Sequence, residues 1–245
     1  METSVKITLI VVIGVLVLAG GFGLGLWALI TPGNDITVTG ESNIKAVPDL
    51  VGIYFTVETK GMTAQDAKNN NSEIVNEVIA GIVKMGFDRE DLVTESFNVY
   101  EEFDWVNGKQ KSLGYKATHS LKIEIPTNES EKIGQVIDAG VDGGAMISYI
   151  NFELSKSKEN IYKVQALKEA SEDARIKAEA MAAGIGKKVI DIKSISESNF
   201  NYYPWRLYGS EGMASNVAEA KVAATDIQPG EQDVSAQVSV VFKIG

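Results

Sequence analysis

From Ile7 to Ile30 the chain reads ITLIVVIGVLVLAGGFGLGLWALI, with no charge and only Thr8 polar. A helix of that length rises roughly 36 Å, enough to cross the hydrocarbon core of a bilayer. About fifteen Leu, Ile, Val and Phe side chains favour insertion by on the order of 5 kcal/mol, which tolerates the interspersed glycines. The pattern predicts a cytoplasmic tail over 1–6, a transmembrane anchor over 7–30, and a linker over 31–35 rich in helix breakers. The rival is a cleavable leader cut after Ala19, but that would leave GGFGLGLWALI as a greasy new terminus. Lys6 and the free amine give the tail a slight positive excess, which directs residues 36–245 to the extracytoplasmic side. Within the span, Gly21 and Gly25 form a small-xxx-small pair that allows two helices to approach closely; glycine is also simply common in such helices.

Beyond the linker the period changes repeatedly. ITVTGES (Ile36–Ser42) alternates as a strand, and DLVGIYFTVET (Asp49–Thr59) follows Pro48 as a second. Thr63 and Asp66 open a helix as a capping box. Ala67, Asn71, Ile74, Val78, Ile82 and Met85 then keep a spacing of three to four, and Gly86 stops it. Leu92–Trp105 and Leu113–Ile125 flank Asn107-Gly108, a strong hairpin signal, and Pro126 closes the second arm. A shorter helix is predicted over 128–139, broken by Gly140, Gly143 and Gly144, and a strand over Ile147–Leu154. The longest helix is predicted over 158–183, closed by Gly184. Ala166, Ala170, Ala174, Ala178 and Ala182 form a ridge along it, suited to packing on this chain's own sheet or on a helix of another copy. Glu159–Lys163, Lys168–Glu172 and Asp173–Lys177 are spaced as ion pairs on its solvent side. Lys187–Ser196 reads as a strand, and Gln232–Ile244 as a final one with Val234, Ala236, Val238, Val240 and Phe242 on a single face. Helices alternating with strands that include a hairpin predict an α+β fold, with helices layered on a mixed or antiparallel sheet.

Charge and composition narrow the function. A net charge of -10 and scattered basic residues disfavour nucleic acid as a partner. With no cysteine there are no disulfides, thiol catalysis, iron–sulfur ligands or thioether lipid anchors. His119, the single histidine, shares strand phase with Tyr115, Ala117, Leu121, Ile123 and Ile125 and is expected as a satisfied core side chain rather than a base or ligand. Asp88, Glu90 and Asp91 lack the ligand order of a calcium loop and read as a solvated turn. AAGIGKKV, preceded by Met181, has Met181 and Lys188 where a phosphate loop needs Gly and Ser or Thr, and GFGLGL lies inside the apolar span. No nucleophile elbow is present. With one His and no Cys, a metal site would have to be built from carboxylates alone, which favours calcium or magnesium over a transition metal, and no cofactor or metal is implied. A hydrolase built on carboxylates alone would require a cleft with two converging acids.

The stretch NFNYYPWRLY, residues 199–208, fits neither a helical nor a strand period and is read as part of an irregular connection over 198–230. Phe200, Tyr202, Tyr203, Trp205, Arg206 and Tyr208 suit three placements: a clasp between subunits, a cover over the chain's own sheet, or a contact with lipid or a ligand.

The segments ITVTGESNIKAVPDLVGIYFTVET, GFDREDLVTESFNVY, LGYKATHSLKIEI, EDARIKAEAMAAGIGKKV and PGEQDVSAQVSVVFKI, in this order, resemble the SIMPL-domain family over essentially everything after the linker. The resemblance implies helices on a sheet, export or anchoring outside the cytoplasm, homo-oligomeric assembly and a loose link to envelope integrity or stress. It brings no catalytic residue. The expectation is a membrane-anchored scaffold in contact with lipid and with its own copies; a ligand- or peptide-binding module under the aromatic stretch is the alternative.

Overall fold

The computed structural model describes residues 34–106, 108–209 and 230–245, so the apolar span with Gly21 and Gly25, and most of the Ala-rich stretch after residue 209, lie outside the described residues. Among the described residues no helix is long and apolar enough to cross a membrane. Eight strands and three helices are described: β1 (Asp35–Ala46), β2 (Leu50–Gly61), α1 (Ala64–Val83), β3 (Leu92–Val106), β4 (Lys109–Pro126), α2 (Ser130–Asp142), β5 (Met146–Glu153), α3 (Lys156–Gly184), β6 (Val189–Tyr202), β7 (Trp205–Gly209) and β8 (Gln232–Ile244). They form an α+β fold with a three-stranded sheet, β1-β8-β6, and a five-stranded sheet, β3-β4-β2-β5-β7. Every registered pair of the five-stranded sheet is antiparallel. The described residues divide into a smaller unit, residues 34–41, 169–198 and 237–245, and a larger one, residues 42–106, 108–168, 199–209 and 230–236.

In the larger unit, Val51, Ile53, Phe55 and Val57 project from one face of β2 into a core shared with Val75, Val78 and Ile82 of α1 and Ile133, Val136 and Ile137 of α2. α1 starts where its sequence says it should: Thr63 Oγ1 accepts from Asp66 N at 3.1 Å, and the Asp66 carboxylate accepts from Thr63 N at 3.2 Å. It packs its Ala67, Asn71, Val75, Val78 and Ile82 face inward, and Gly86 leaves it with φ +90°. Gly140 does not break α2 as expected. It lies inside the helix, where a Cβ would come within 2.3 Å of the Phe55 ring, so the missing side chain lets helix and sheet touch; Gly143 caps the helix and Gly144, at φ +95°, turns the chain.

The hairpin forms at Asn107-Gly108 as expected, with Gly108 at φ +74°, and its arms run closer to the turn than predicted, to Val106 opposite Lys109. β2 reaches only as far as Gly61 opposite Tyr115. Beyond that point β3 and β4 continue alone, from Glu102 opposite Gly114 to Val106 opposite Lys109.

In the smaller unit, the alanine ridge of α3 lies against β1. A Cβ on Gly40 would fall 2.0 Å from the backbone oxygen of Ala170 and 2.7 Å from the Ala174 methyl. The Glu41 amide donates to Asp173 at 2.9 Å, and Lys177 Nζ to the Thr39 carbonyl at 3.3 Å. Ala170, Ala174, Ala178 and Ala182 are fully buried, as is Ala166 in the larger unit, where the Ser42 hydroxyl donates to its carbonyl at 2.7 Å. Asp173 pairs with Lys177 as spaced, whereas Glu159 pairs with Lys156. α3 begins two residues earlier than expected because Ser155 caps it, its hydroxyl accepting from Lys158 N. β8 alternates as expected, burying Val234, Ala236, Val238, Val240 and Phe242.

The aromatic stretch departs from expectation. It is not an irregular connection: β6 continues to Tyr202, Tyr203 and Pro204 interrupt it, and β7 pairs with β5 through Phe152 opposite Trp205 and Asn151 opposite Arg206. Proline cannot donate to a ladder, so the chain breaks there and resumes on the edge of the other sheet.

Candidate functional site

The aromatic stretch forms one wall of a cleft at the β5 edge of the larger unit. On the sheet face away from the core, β2 brings Tyr54 opposite both Lys122 of β4 and Tyr149 of β5. Residues 149, 151 and 153 share a face by the two-residue period of a strand, which aligns Tyr149, Asn151 and Glu153 beside them. Tyr54 and Tyr149 stack with ring centroids 4.1 Å apart, Arg206 lies 5.0 Å over Tyr149, and Lys122 Nζ lies 5.1 Å from the Tyr54 ring.

Glu153 is the centre of this array and is nearly buried. Its Oε1 accepts from the Tyr54 hydroxyl at 2.8 Å and its Oε2 from Lys122 Nζ at 2.8 Å; Lys122 also reaches Glu124 Oε1 at 2.8 Å. Gly52 makes room for the carboxylate, since a Cβ there would lie 2.7 Å from Glu153 Oε1. Burial disfavours the Lys122 charge, but hydrogen bonds to Glu124, Glu153 and Tyr54 outweigh it and raise the ammonium above its usual range. Burial likewise raises the Tyr54 hydroxyl, with the Glu153 charge acting the same way.

Outside this network opens a cleft of about 540 Å³, walled by Lys122, Glu153, Lys156, Glu159, Phe200 and Tyr202. Tyr202 accepts from the Leu154 amide at 2.8 Å, and burial, with Glu153, Asp49 and Glu159 nearby, pushes its hydroxyl up to about 12. Pro204 separates this cleft from a second of about 460 Å³ lined by Tyr203, Trp205, Arg206 and Gln232. Two buried oxygens in this region, Asn151 Oδ1 and Gln232 Oε1, have no hydrogen-bond partner among the described residues.

The predicted aromatic residues thus have distinct surroundings. Phe200 carries Lys163 Nζ 5.1 Å over its ring, Trp205 stacks on Phe152 at 5.6 Å, and Tyr203 stands 76% exposed. Tyr208 is placed by its backbone opposite Ile150. Sequence reasoning missed the polar half of the site. Tyr54, Lys122, Tyr149 and Glu153 come from three strands, β2, β4 and β5, and only the two-residue spacing along β5 hinted that Tyr149 and Glu153 share a face.

The acids of the cleft converge on lysines: Glu124 and Glu153 on Lys122, and Glu159 on Lys156. The result is an ion-pair network along the cleft wall. Among the described residues, no three His, Cys, Asp or Glu side chains gather closely enough to hold a metal ion. His119 sits apart from the cleft. Its Nε2 lies 2.9 Å from Thr94 Oγ1, its Nδ1 3.2 Å from Asn71 Oδ1, and its ring edge-on to Phe97. Asn71 Nδ2 donates to the Val57 carbonyl at 2.9 Å, which turns Oδ1 toward the imidazole and makes Nδ1 the protonated nitrogen. Burial holds the imidazole below its ordinary value, so it is neutral and satisfied.

The chain is 27% identical over 243 residues to the 26 kDa periplasmic immunogenic protein of Brucella melitensis biotype 1, covering 94% of each chain. Its counterpart in Brucella abortus (strain S19) is 26% identical over the same share. The uncharacterized protein YggE of Edwardsiella ictaluri is 23% identical, over 82% of this chain and 85% of that protein. Residues 36–242 match SIMPL, described as a protein of unknown function (DUF541), and the chain therefore belongs to the SIMPL family.

Proposed function

We propose that this is an extracytoplasmic, membrane-anchored protein that assembles with its own copies into a scaffold at the cell envelope. The periplasmic names of the Brucella relatives support export, and the apolar span over 7–30 supports retention at the membrane. The observation that carries self-assembly is the two-stranded ribbon beyond Gly61. Phe103, Val106 and Leu113 each leave nearly half of their surface exposed there, and Trp105 leaves 70%. A two-stranded ribbon is at best marginally stable by itself, and exposed rings at its tip are the kind of group that a partner surface desolvates. β3 is also an edge strand of the five-stranded sheet, with its outer row of backbone groups unpaired in the sheet order. The second copy is therefore expected to engage the ribbon. Of the aromatic stretch, Tyr203 is 76% exposed and Trp205 42%, so Tyr203 is the more available for a clasp.

Light scattering of the detergent-solubilised full chain tests this reading. An oligomer that dissociates when Phe103→Ser and Trp105→Ser are combined is the expected outcome; a monomer at every concentration removes assembly from the function. Tyr203→Ala is the cleaner probe of the clasp, because Trp205→Ala also removes the stack on Phe152.

A second reading rests on the 540 Å³ cleft, whose aromatic walls and paired charges suit a peptide or glycan. Trp205 lines the neighbouring cleft, so peptide or glycan probes that bind should shift its emission in a Trp105→Phe background, in monomer as well as oligomer.

A further inference from the structure

The smaller unit exposes apolar side chains where α3 ends and β6 begins. Ile185 is 64% exposed, Ile190 is 61% exposed, and Met181 is exposed as well. Their place in the fold is fixed by backbone hydrogen bonds. The Asn34 carbonyl accepts from the Ile244 amide at 2.7 Å, while Lys188 and Gly245 exchange both backbone bonds, at 2.9 and 3.0 Å. Lys193 binds the Asp35 carboxylate. The beginning of β1, the end of β8 and the approach to β6 therefore lie side by side. The turn that ends α3 joins them, held by Lys187 N donating to Ala182 at 2.9 Å and by Gly186 at φ +72°.

This end of the unit is tied to the apolar segment by very little chain. Only residues 31–33 separate Ile30 from Asn34. Four Cα-to-Cα steps span at most about 14 Å, and the polar layer of a bilayer is on the order of 6 Å thick on each side. With Ile7–Ile30 in the membrane, Asn34 stands within or just outside the headgroups, and the Ile185–Ile190 end stands beside it. That end combines two exposed isoleucines with the adjacent lysines 187 and 188, in a chain whose net charge is -10. Apolar groups among lysines are the makeup of a surface that settles into anionic headgroups, because the side chains reach the acyl boundary while the ammonium groups meet phosphate.

We propose that this end of the smaller unit rests on the anionic phospholipid headgroups of the bilayer that holds the leader, with Ile185 and Ile190 inserted and Lys187 and Lys188 bound to lipid phosphates. The proposal rests on the reading of 7–30 as an uncleaved anchor. It fixes the unit end-on to the membrane through a second contact, so that the short linker is not the only restraint on its orientation.

The absence of cysteine makes the test direct, since each introduced thiol carries the only label. The full chain is reconstituted into vesicles of phosphatidylcholine and phosphatidylglycerol containing a nitroxide-headgroup lipid, with an environment-sensitive dye on Asn34→Cys, Ile185→Cys, Ile190→Cys or Ile195→Cys. Ile195 is also exposed but lies about 17 Å along β6 from Ile190. The expected result is strong quenching at 34, 185 and 190, at least about twofold above that at 195, and a loss of quenching at 185 when Lys187→Gln and Lys188→Gln are added. Quenching at 34 without quenching at 185 and 190 overturns the surface contact and leaves the anchor standing. No quenching at 34 overturns the anchor reading, and the contact with it. Equal quenching at 195 overturns the end-on placement, and shielding of 185 and 190 that depends on protein concentration without lipid quenching gives the face to a second copy.

Discussion

Asn71 and His119 form a pair in which each satisfies what the other leaves open. Asn71 is fully buried, and its amide spends one end on the Val57 carbonyl and the other on the imidazole. His119→Leu should cost about 1–3 kcal/mol in a urea titration of the solubilised chain, because Asn71 Oδ1 would be left buried without a donor. The imidazole also ties stability to pH. Its folded pKa lies below the ordinary 6.5, so the unfolded chain takes up the proton first as pH falls. Stability is then full above about 6.5 and declines as pH drops toward the folded value, and the His119→Leu chain should lack that part of the slope. Glu153 is the second residue with wide consequences. Glu153→Ala removes the carboxylate that Lys122 and Tyr54 share and leaves a half-buried ammonium with one carboxylate, Glu124, in place of two. Loss of one partner from a buried pair costs about 3–5 kcal/mol, and the remaining exposure of Lys122 puts the expectation at the lower end. Neither arrangement could be read from the chain, because the partners come from different elements.

Among the elements, those governed by local chemistry were readable in advance. The Thr63–Asp66 cap, the three-to-four spacing of α1, the Val106–Lys109 hairpin and the alternation of β8 each arise from neighbouring residues and formed as their patterns dictate. Thr63→Ala should lower stability by about 1 kcal/mol, detectable as a shift in the urea midpoint. Where a distant element intervened, local reading failed. Gly140 looks like a helix breaker, yet it is retained inside α2 by the Phe55 ring. Gly140→Ala is therefore expected to destabilise by about 1–3 kcal/mol although alanine is the better helix former, and a stabilised variant would refute the contact. The stretch 199–208 looked irregular because Tyr203-Pro204 sits between two strand ends in different sheets, which breaks the alternation that each half obeys.

Taken whole, the molecule combines a family fold readable from ordered sequence segments with a cleft that required coordinates to find. The aromatic half of that cleft was visible as composition, whereas its charged half depends on strand pairing across residues 54, 122, 149 and 153. Assembly and membrane attachment should be separable in experiment. The ribbon substitutions at 103 and 105 are expected to yield monomers that still sediment with membranes, since the ribbon belongs to the larger unit and the leader precedes the smaller unit's first strand. Monomers released into the soluble fraction would show that retention depends on oligomerisation instead. Gly40 has a consequence that reaches beyond this chain. The atom nearest to any side chain placed there is the Ala170 carbonyl oxygen, which no exchange at position 170 can trim away. Divergence can therefore not trade bulk between the two sites: homologues in which helix and strand touch this closely should hold glycine at position 40 through drift, and those that lose it should show the helix lifted from the strand.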